Sequence, residues 1–323
     1  MREALFIKRN RQRWKQIHDF PSHHPDEMAK EFIQLVDDLG YSKTFYPVSK
    51  TTQYLNAEAL KKYLAIYQNK KENSSRIISF FKVTLPIIIA KHHRALLISF
   101  CLFVIFVSIG FFSAKNDENF VRQILGDNYV DMTLQNIKEG HPFGVYGYGN
   151  EFLSFIYIFI NNMYVSLLEF GGGILLAYPS IHSLMYNAVM VGAFENMFYN
   201  NGLLQNSLLT VMIHGTLELS TFVISATSGI VLAKSWMFPG TIKRIDALRK
   251  GAKEGLIIAL SNVPMLFLAA FFEGFITRHT DMPLWLKLFI ITLSLFIVIG
   301  YFIVYPIRLK RKLNLTKNPN AAV

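Results

Sequence analysis

The stretch at residues 202–233, GLLQNSLLTVMIHGTLELSTFVISATSGIVLA, decides the reading. It is long and apolar enough to cross ~30 Å of hydrocarbon, yet it carries His214 and Glu218 near its middle. An ionisable side chain at the centre of a bilayer costs ~2.5–3.5 kcal/mol or more, so such a residue marks a functional position by default. The four-residue offset puts both side chains on one helix face.

Composition agrees with a membrane chain. Of 323 residues 52% are hydrophobic, and mean hydropathy is positive at +0.29, which excludes an ordinary soluble globule. The net charge of +11 is unevenly spread: 17 of 33 Lys and Arg lie in residues 1–94, five in 243–253 and five in 308–317. That bias reads as cytoplasmic segments flanking spans, not as a nucleic-acid surface. The single cysteine, Cys101, forms no intrachain disulfide and offers no cysteine metal site. The first ten residues are charged and the first long apolar run starts near Ala95, so no cleavable leader is expected.

The expected fold is all-α: a polytopic membrane protein of about six transmembrane helices behind a small cytoplasmic helical region. Residues 1–94 hold that region. Leu5, Phe6, Arg9, Arg13, Trp14 and Ile17 recur at helical spacing, Pro25 opens a second helix that stops at Gly40, and a third covers 56–68. Residues 74–90 read as an interfacial helix. The transmembrane domain spans 95–305, with helices at 95–112, 152–178, 182–198, 203–236, 256–276 and 285–305. The second and third are polar enough to be read alternatively as a re-entrant pair. A turn is expected at Pro179-Ser180, a tilt or break in the long fourth segment, and a kink at Asn262 and Pro264. The acidic stretch 113–150 becomes an outer loop and 306–323 a basic tail, so both termini are cytoplasmic in the bacterial inner membrane.

Counting ~1.5 Å per residue from the expected faces brings Glu273, His214, Asn161 and Asn162 to one depth, with Glu218 a turn deeper. Glu169 and Glu195 fall elsewhere. Three readings stay open: interhelical hydrogen-bond glue, a polar cavity for a proton, ion or lipid headgroup, or a metal or hydrolase centre with His214, Glu218 and Glu273 as ligands. One histidine is a poor zinc set, and H-E-x-x-H, G-x-S-x-G and a P-loop are all missing from the sequence. No metal, cofactor or catalytic residue is therefore expected. Gly171, Gly172, Gly173 and Gly215 are read as helix packing or breaks, and Pro239-Gly240 as the end of segment four. Lys243, Arg244, Arg249 and Lys250 set topology or meet anionic lipid. His23-His24 and His92-His93 read as surface histidines.

These residues also carry a resemblance. Asn161-Asn162, the Gly171, Gly172 and Gly173 run, Asn187, Gly192, His214-Gly215, Glu218-Leu219, Pro239-Gly240 with Arg244, and Glu273-Gly274-Phe275 occur in an order similar to the stage II sporulation protein M family. Phe6, Arg9 and Trp14 resemble its N-terminal pattern. Ile213 stands where the family commonly has proline, and Asn187-Ala188 where it has Asn-Gly. The resemblance implies a non-enzymatic multi-pass protein that anchors peptidoglycan-degrading partners in endospore formers. The first expectation is thus a scaffold or subunit of a cell-envelope complex, working in the lipid bilayer with envelope or peptidoglycan-remodelling proteins. The second is a transporter, channel or lipid-translocating protein using the His/Glu/Asn cavity; an intramembrane enzyme comes third. The glycines offer a packing face for a homodimer, and no nucleic-acid partner is expected.

Overall fold

A computed structural model describes residues 2–22, 24–67, 75–147, 149–278 and 282–317; His23 lies outside them. The chain divides into two compact units, Met1–Ile77 and Ile78–Val323. No strand occurs among the described residues.

The first unit contains α1 (Glu3–Asp19), α2 (Pro25–Phe45) and α3 (Lys50–Tyr67). The apolar face of α1 buries Phe6, Trp14 and Ile17 against Leu35 of α2 and Leu55 and Ala59 of α3. Trp14 donates its indole N–H to Asp38 at 2.7 Å, so the polar edge of the ring is satisfied while its body is buried. Gly40 does not stop α2. A mid-helix glycine costs only ~1 kcal/mol, and Tyr41 stacks on Phe6 at 5.0 Å, which holds the following turn helical. Glu58 of α3 is buried; desolvation pushes its carboxyl up, but hydrogen bonds from Lys61 and His18 outweigh it and hold the group below its usual range.

α4 (Ile77–Asn116), all but its first residue in the second unit, joins the expected interfacial helix and the first span into one kinked helix. The Lys91–Arg94 polar patch is a kink rather than a boundary: His92 has φ −108° and ψ 18°. Lys91 and His92 bond Glu254 at 2.6 and 2.7 Å, and His93 bonds the Phe302 carbonyl at 3.2 Å, so neither of these histidines is a plain surface residue. The stretch read as an outer loop holds two amphipathic helices, α5 (Glu118–Leu125) and α6 (Asp127–Lys138). Val121 and Val130 pack on Ala193, Met197 and Phe198.

α7 (Glu151–Leu175) and α8 (Tyr178–Asn200) make a helical hairpin. Its turn falls at Leu176 and Ala177, both left-handed at φ 59° and 62°, and not at Pro179-Ser180. Pro179 sits in the first turn of α8 instead, where its missing N–H costs nothing. α8 lies flush on α4: a Cβ at Gly192 would sit 2.2 Å from the Val107 carbonyl oxygen, and one at Gly110 2.3 Å from that of Val189.

α9 (Leu204–Met237) is the central helix, buried along most of its length and unbroken over ~51 Å. α10 (Arg244–Ile276) breaks at Ser261, beside the Asn262 and Pro264 that announced a kink. α11 (Leu284–Leu313) completes the bundle. Five of these helices, α4, α7, α9, α10 and α11, are long and apolar enough to cross a membrane. α8 is long enough but more polar, with Glu195, Asn187 and Asn196 along it. The fold is therefore an α-helical polytopic membrane bundle, and the count of about six depends on α8 alone.

Candidate functional site: a buried His, Glu and Asn cluster

The site forms where α9 crosses α10 and α7. On α9, Ser207, Thr210, His214, Glu218, Thr221, Ser225 and Ser228 recur every three or four residues, a polar stripe on one face. All are buried except Glu218, which is half-buried. Facing it, α7 presents buried Asn162, Ser166 and Glu169 at the same spacing.

His214, Glu218 and Glu273 bring one ligand atom each within 4.8 Å of one another. Asn162 donates its amide N–H to Glu218 Oε1 at 3.0 Å. His214 Nδ1 lies 3.0 Å from the Thr277 hydroxyl, which donates to the Phe272 carbonyl at 3.1 Å. With that hydroxyl proton directed to Phe272, the Thr277 oxygen is the acceptor for an Nδ1–H of His214. The imidazole is 4% exposed.

Two features of α10 place Glu273. Residues Phe272–Ile276 form a π-helical turn, and such insertions concentrate at functional sites because they re-aim side chains. Gly274 then lets α7 approach: a Cβ there would meet Phe155 at 3.1–3.2 Å. From α6, Tyr129 lies near the cluster. Burial, with the Glu273 charge adding to it, pushes its phenol up to about 12.

Among the described residues neither Glu218 nor Glu273 forms an ion pair with lysine or arginine. Two adjacent carboxylates taken out of water cost several kcal/mol each unless a counter-charge joins them. With His214 beside them, the three side chains have the chemistry to hold a cation, a proton or a metal ion. No metal ligand beyond these three side chains is needed to begin such a site, and Asn162 and Thr277 fix the orientation of two of them.

A cavity of about 500 Å³ opens one turn along α9 from His214. It is lined by Asn206 and Thr210 of α9, His141, Arg278 and Lys287. Lys287 donates to Thr210 at 3.4 Å.

The sequence-predicted residues divide. His214, Glu218, Glu273 and Asn162 come together; Asn161 is exposed and points elsewhere. Gly172 and Gly173 are contact points, with a Cβ at Gly173 only 2.3 Å from the Gly229 carbonyl oxygen; Gly171 meets nothing within 4 Å and Gly215 only ordinary contacts. Gly240, at φ 64°, lies just beyond Pro239 where α9 has ended. Lys243, Arg244, Arg249 and Lys250 are exposed at the start of α10. Sequence reading missed Thr277, Ser166, Ser225 and Asn262. The stripe of hydroxyls at helical spacing in 202–233 is the signal that could have found Ser225.

The fold and this site define a polytopic α-helical membrane protein with an ionisable centre. The family model described as Stage II sporulation protein M matches residues 99–278, which contain every residue of the cluster, and the chain belongs to that family. A second model, described as a domain of unknown function, matches residues 4–68. No curated protein and no solved structure matches the chain.

Thr277→Val removes the hydroxyl that partners His214 and leaves a buried ring nitrogen unsatisfied. Thermal unfolding in detergent should show a loss of about 1–3 kcal/mol, restored by Thr277→Ser. An unchanged melting temperature for Thr277→Val contradicts the assignment.

Proposed function

We propose that the protein is a non-enzymatic membrane transport protein of the bacterial cytoplasmic membrane, whose His214, Glu218 and Glu273 cluster binds a cation within the bundle. The observation that carries this reading is the convergence of three ionisable ligand atoms within 4.8 Å on membrane-length helices. Interhelical glue needs no second carboxylate beside the first, and hydrogen bonds of that kind average only ~0.6 kcal/mol. A cation that enters and leaves does need it. Charge bias along the chain supports both termini in the cytoplasm and α5 and α6 outside.

A second role rests on a different observation. The N-terminal unit is compact on its own, matches its own family model, and exposes apolar side chains, with Phe20 78% and Val48 89% accessible. Such a surface suits docking of an envelope or peptidoglycan-remodelling partner, so the transporter is a subunit of a larger complex. The close-packing glycines are engaged within the chain, and a homodimer interface has to use other surface.

Reconstituted in liposomes, the protein should move an ion or a lipid, and Glu218→Gln and His214→Ala should each cut that activity at least tenfold. Unchanged activity in both variants contradicts the site. Deleting Met1–Ile77 should leave transport intact and abolish co-purification with envelope proteins; retained co-purification contradicts the docking role.

A further inference from the structure

Among the described residues of the second unit, two buried carboxylates lie outside the cluster, and their positions along α9 give them a role. Glu169 of α7 is 0% exposed and neither carboxylate oxygen has a hydrogen-bond partner. Its surroundings are Ser180 and Ser183 of α8 and Gly229 of α9: the Ser180 hydroxyl donates to the Glu169 backbone carbonyl at 2.5 Å, and Ser183 faces the carboxylate. No charged side chain among the described residues pairs with it. Glu195 of α8 is 6% exposed, again with both oxygens unpartnered, and faces Ser207 of α9.

On α9 the three levels are Ser207 beside Glu195, Glu218 with Glu273, and Gly229 beside the backbone carbonyl of Glu169. Each step is eleven residues, about 16 Å, and the whole run is about 33 Å, the thickness of the hydrocarbon core. Polar groups fill both gaps. Thr210 and His214 occupy the first, with Lys287 as the cation beside Thr210. In the second, Ser166 and Ser225 share a hydrogen bond of 2.7 Å, and the Asn262 amide donates to Ser225 at 2.6 Å and to the Thr221 carbonyl at 3.3 Å.

We propose that Glu195, the Glu218 and Glu273 pair, and Glu169 are the three stations of a transmembrane proton path. The inference rests on the cluster being a cation site and names the cation as a proton. A metal ion would have to part the Ser166, Ser225 and Asn262 contacts to pass between the last two stations. A proton crosses the Ser166 and Ser225 contact by reorientation of the two hydroxyls, each accepting one proton and giving up another, so that the acid on one side loses a proton and the carboxylate on the other gains one. In the first gap the Thr210 hydroxyl and the His214 imidazole relay in the same way, each taking up one proton as it gives up another. Glu169 and Glu195 are the outermost carboxylates of the path.

The test uses full-length protein in phosphatidylethanolamine and phosphatidylglycerol vesicles with an internal pH dye, driven by a valinomycin potassium potential. Wild type should carry protons, and Glu169→Gln, Glu195→Gln and Glu218→Gln should each lower the rate at least tenfold. Ser166→Ala with Ser225→Ala, which keeps every carboxylate and so guards against a folding defect, should lower it several-fold. If Glu218→Gln abolishes flux while Glu169→Gln and Glu195→Gln run at the wild-type rate, the path is wrong and the central site stands. If all variants match wild type, both are wrong. A wild type that passes no protons overturns the path, leaving the central site to stand or fall with the wider ion and lipid assay.

Discussion

The carboxylate of Glu218 has to be reconciled with a low-dielectric surrounding, and the bundle is arranged around that requirement. Its charged form is unaffordable in lipid without a partner, so α9 is enclosed on nearly all sides and the amide of Asn162 is brought to 3.0 Å. Enclosure demands close helix approach. That is supplied by small residues at the crossings: Gly229 against the Glu169 carbonyl, Gly173 against Gly229, and Gly255 against the Ser228 carbonyl. Polar side chains and glycines are thus two halves of one solution, since the hydroxyl and amide partners reach α9 only where backbones lie close.

The same requirement explains the irregular helices. The π turn at Phe272–Ile276 contains Glu273, and Thr277 follows it by four residues, so both side chains serve the α9 face where His214 meets them. The break at Ser261 frees the following turn and lets Asn262 reach Thr221 and Ser225. These distortions sit where polar groups of three helices meet, which is where a membrane bundle tolerates non-ideal backbone.

Much of this was legible in the residues. His214 and Glu218 stand out because charge in an apolar run is rare, and the Asn262 and Pro264 signal falls beside the one irregular turn, at Ser261, within the first part of α10. Turn chemistry misled at Pro179, where a proline that starts α8 looked like the turn before it. Asn161 and Asn162 could not be told apart, because neighbours on a helix point about 100° apart and only the packing of α7 selects one. The amphipathic character of α5 and α6 was masked by their acidic charge, which placed the segment outside the membrane and hid its helices. Thr277 follows Glu273 by the same four residues that pair His214 with Glu218, and it went unseen because only ionisable and amide side chains were counted.

The account stands or falls on Glu218 being packed against Asn162 inside the protein. The direct measurement is a double-mutant cycle of Asn162→Ala and Glu218→Ala, with unfolding followed by detergent titration in mixed micelles. A coupling energy of about 0.6 kcal/mol or more is predicted for a hydrogen-bonded pair of membrane helices. Strict additivity of the two substitutions would mean that the carboxylate finds its partner elsewhere, and would contradict the enclosed site.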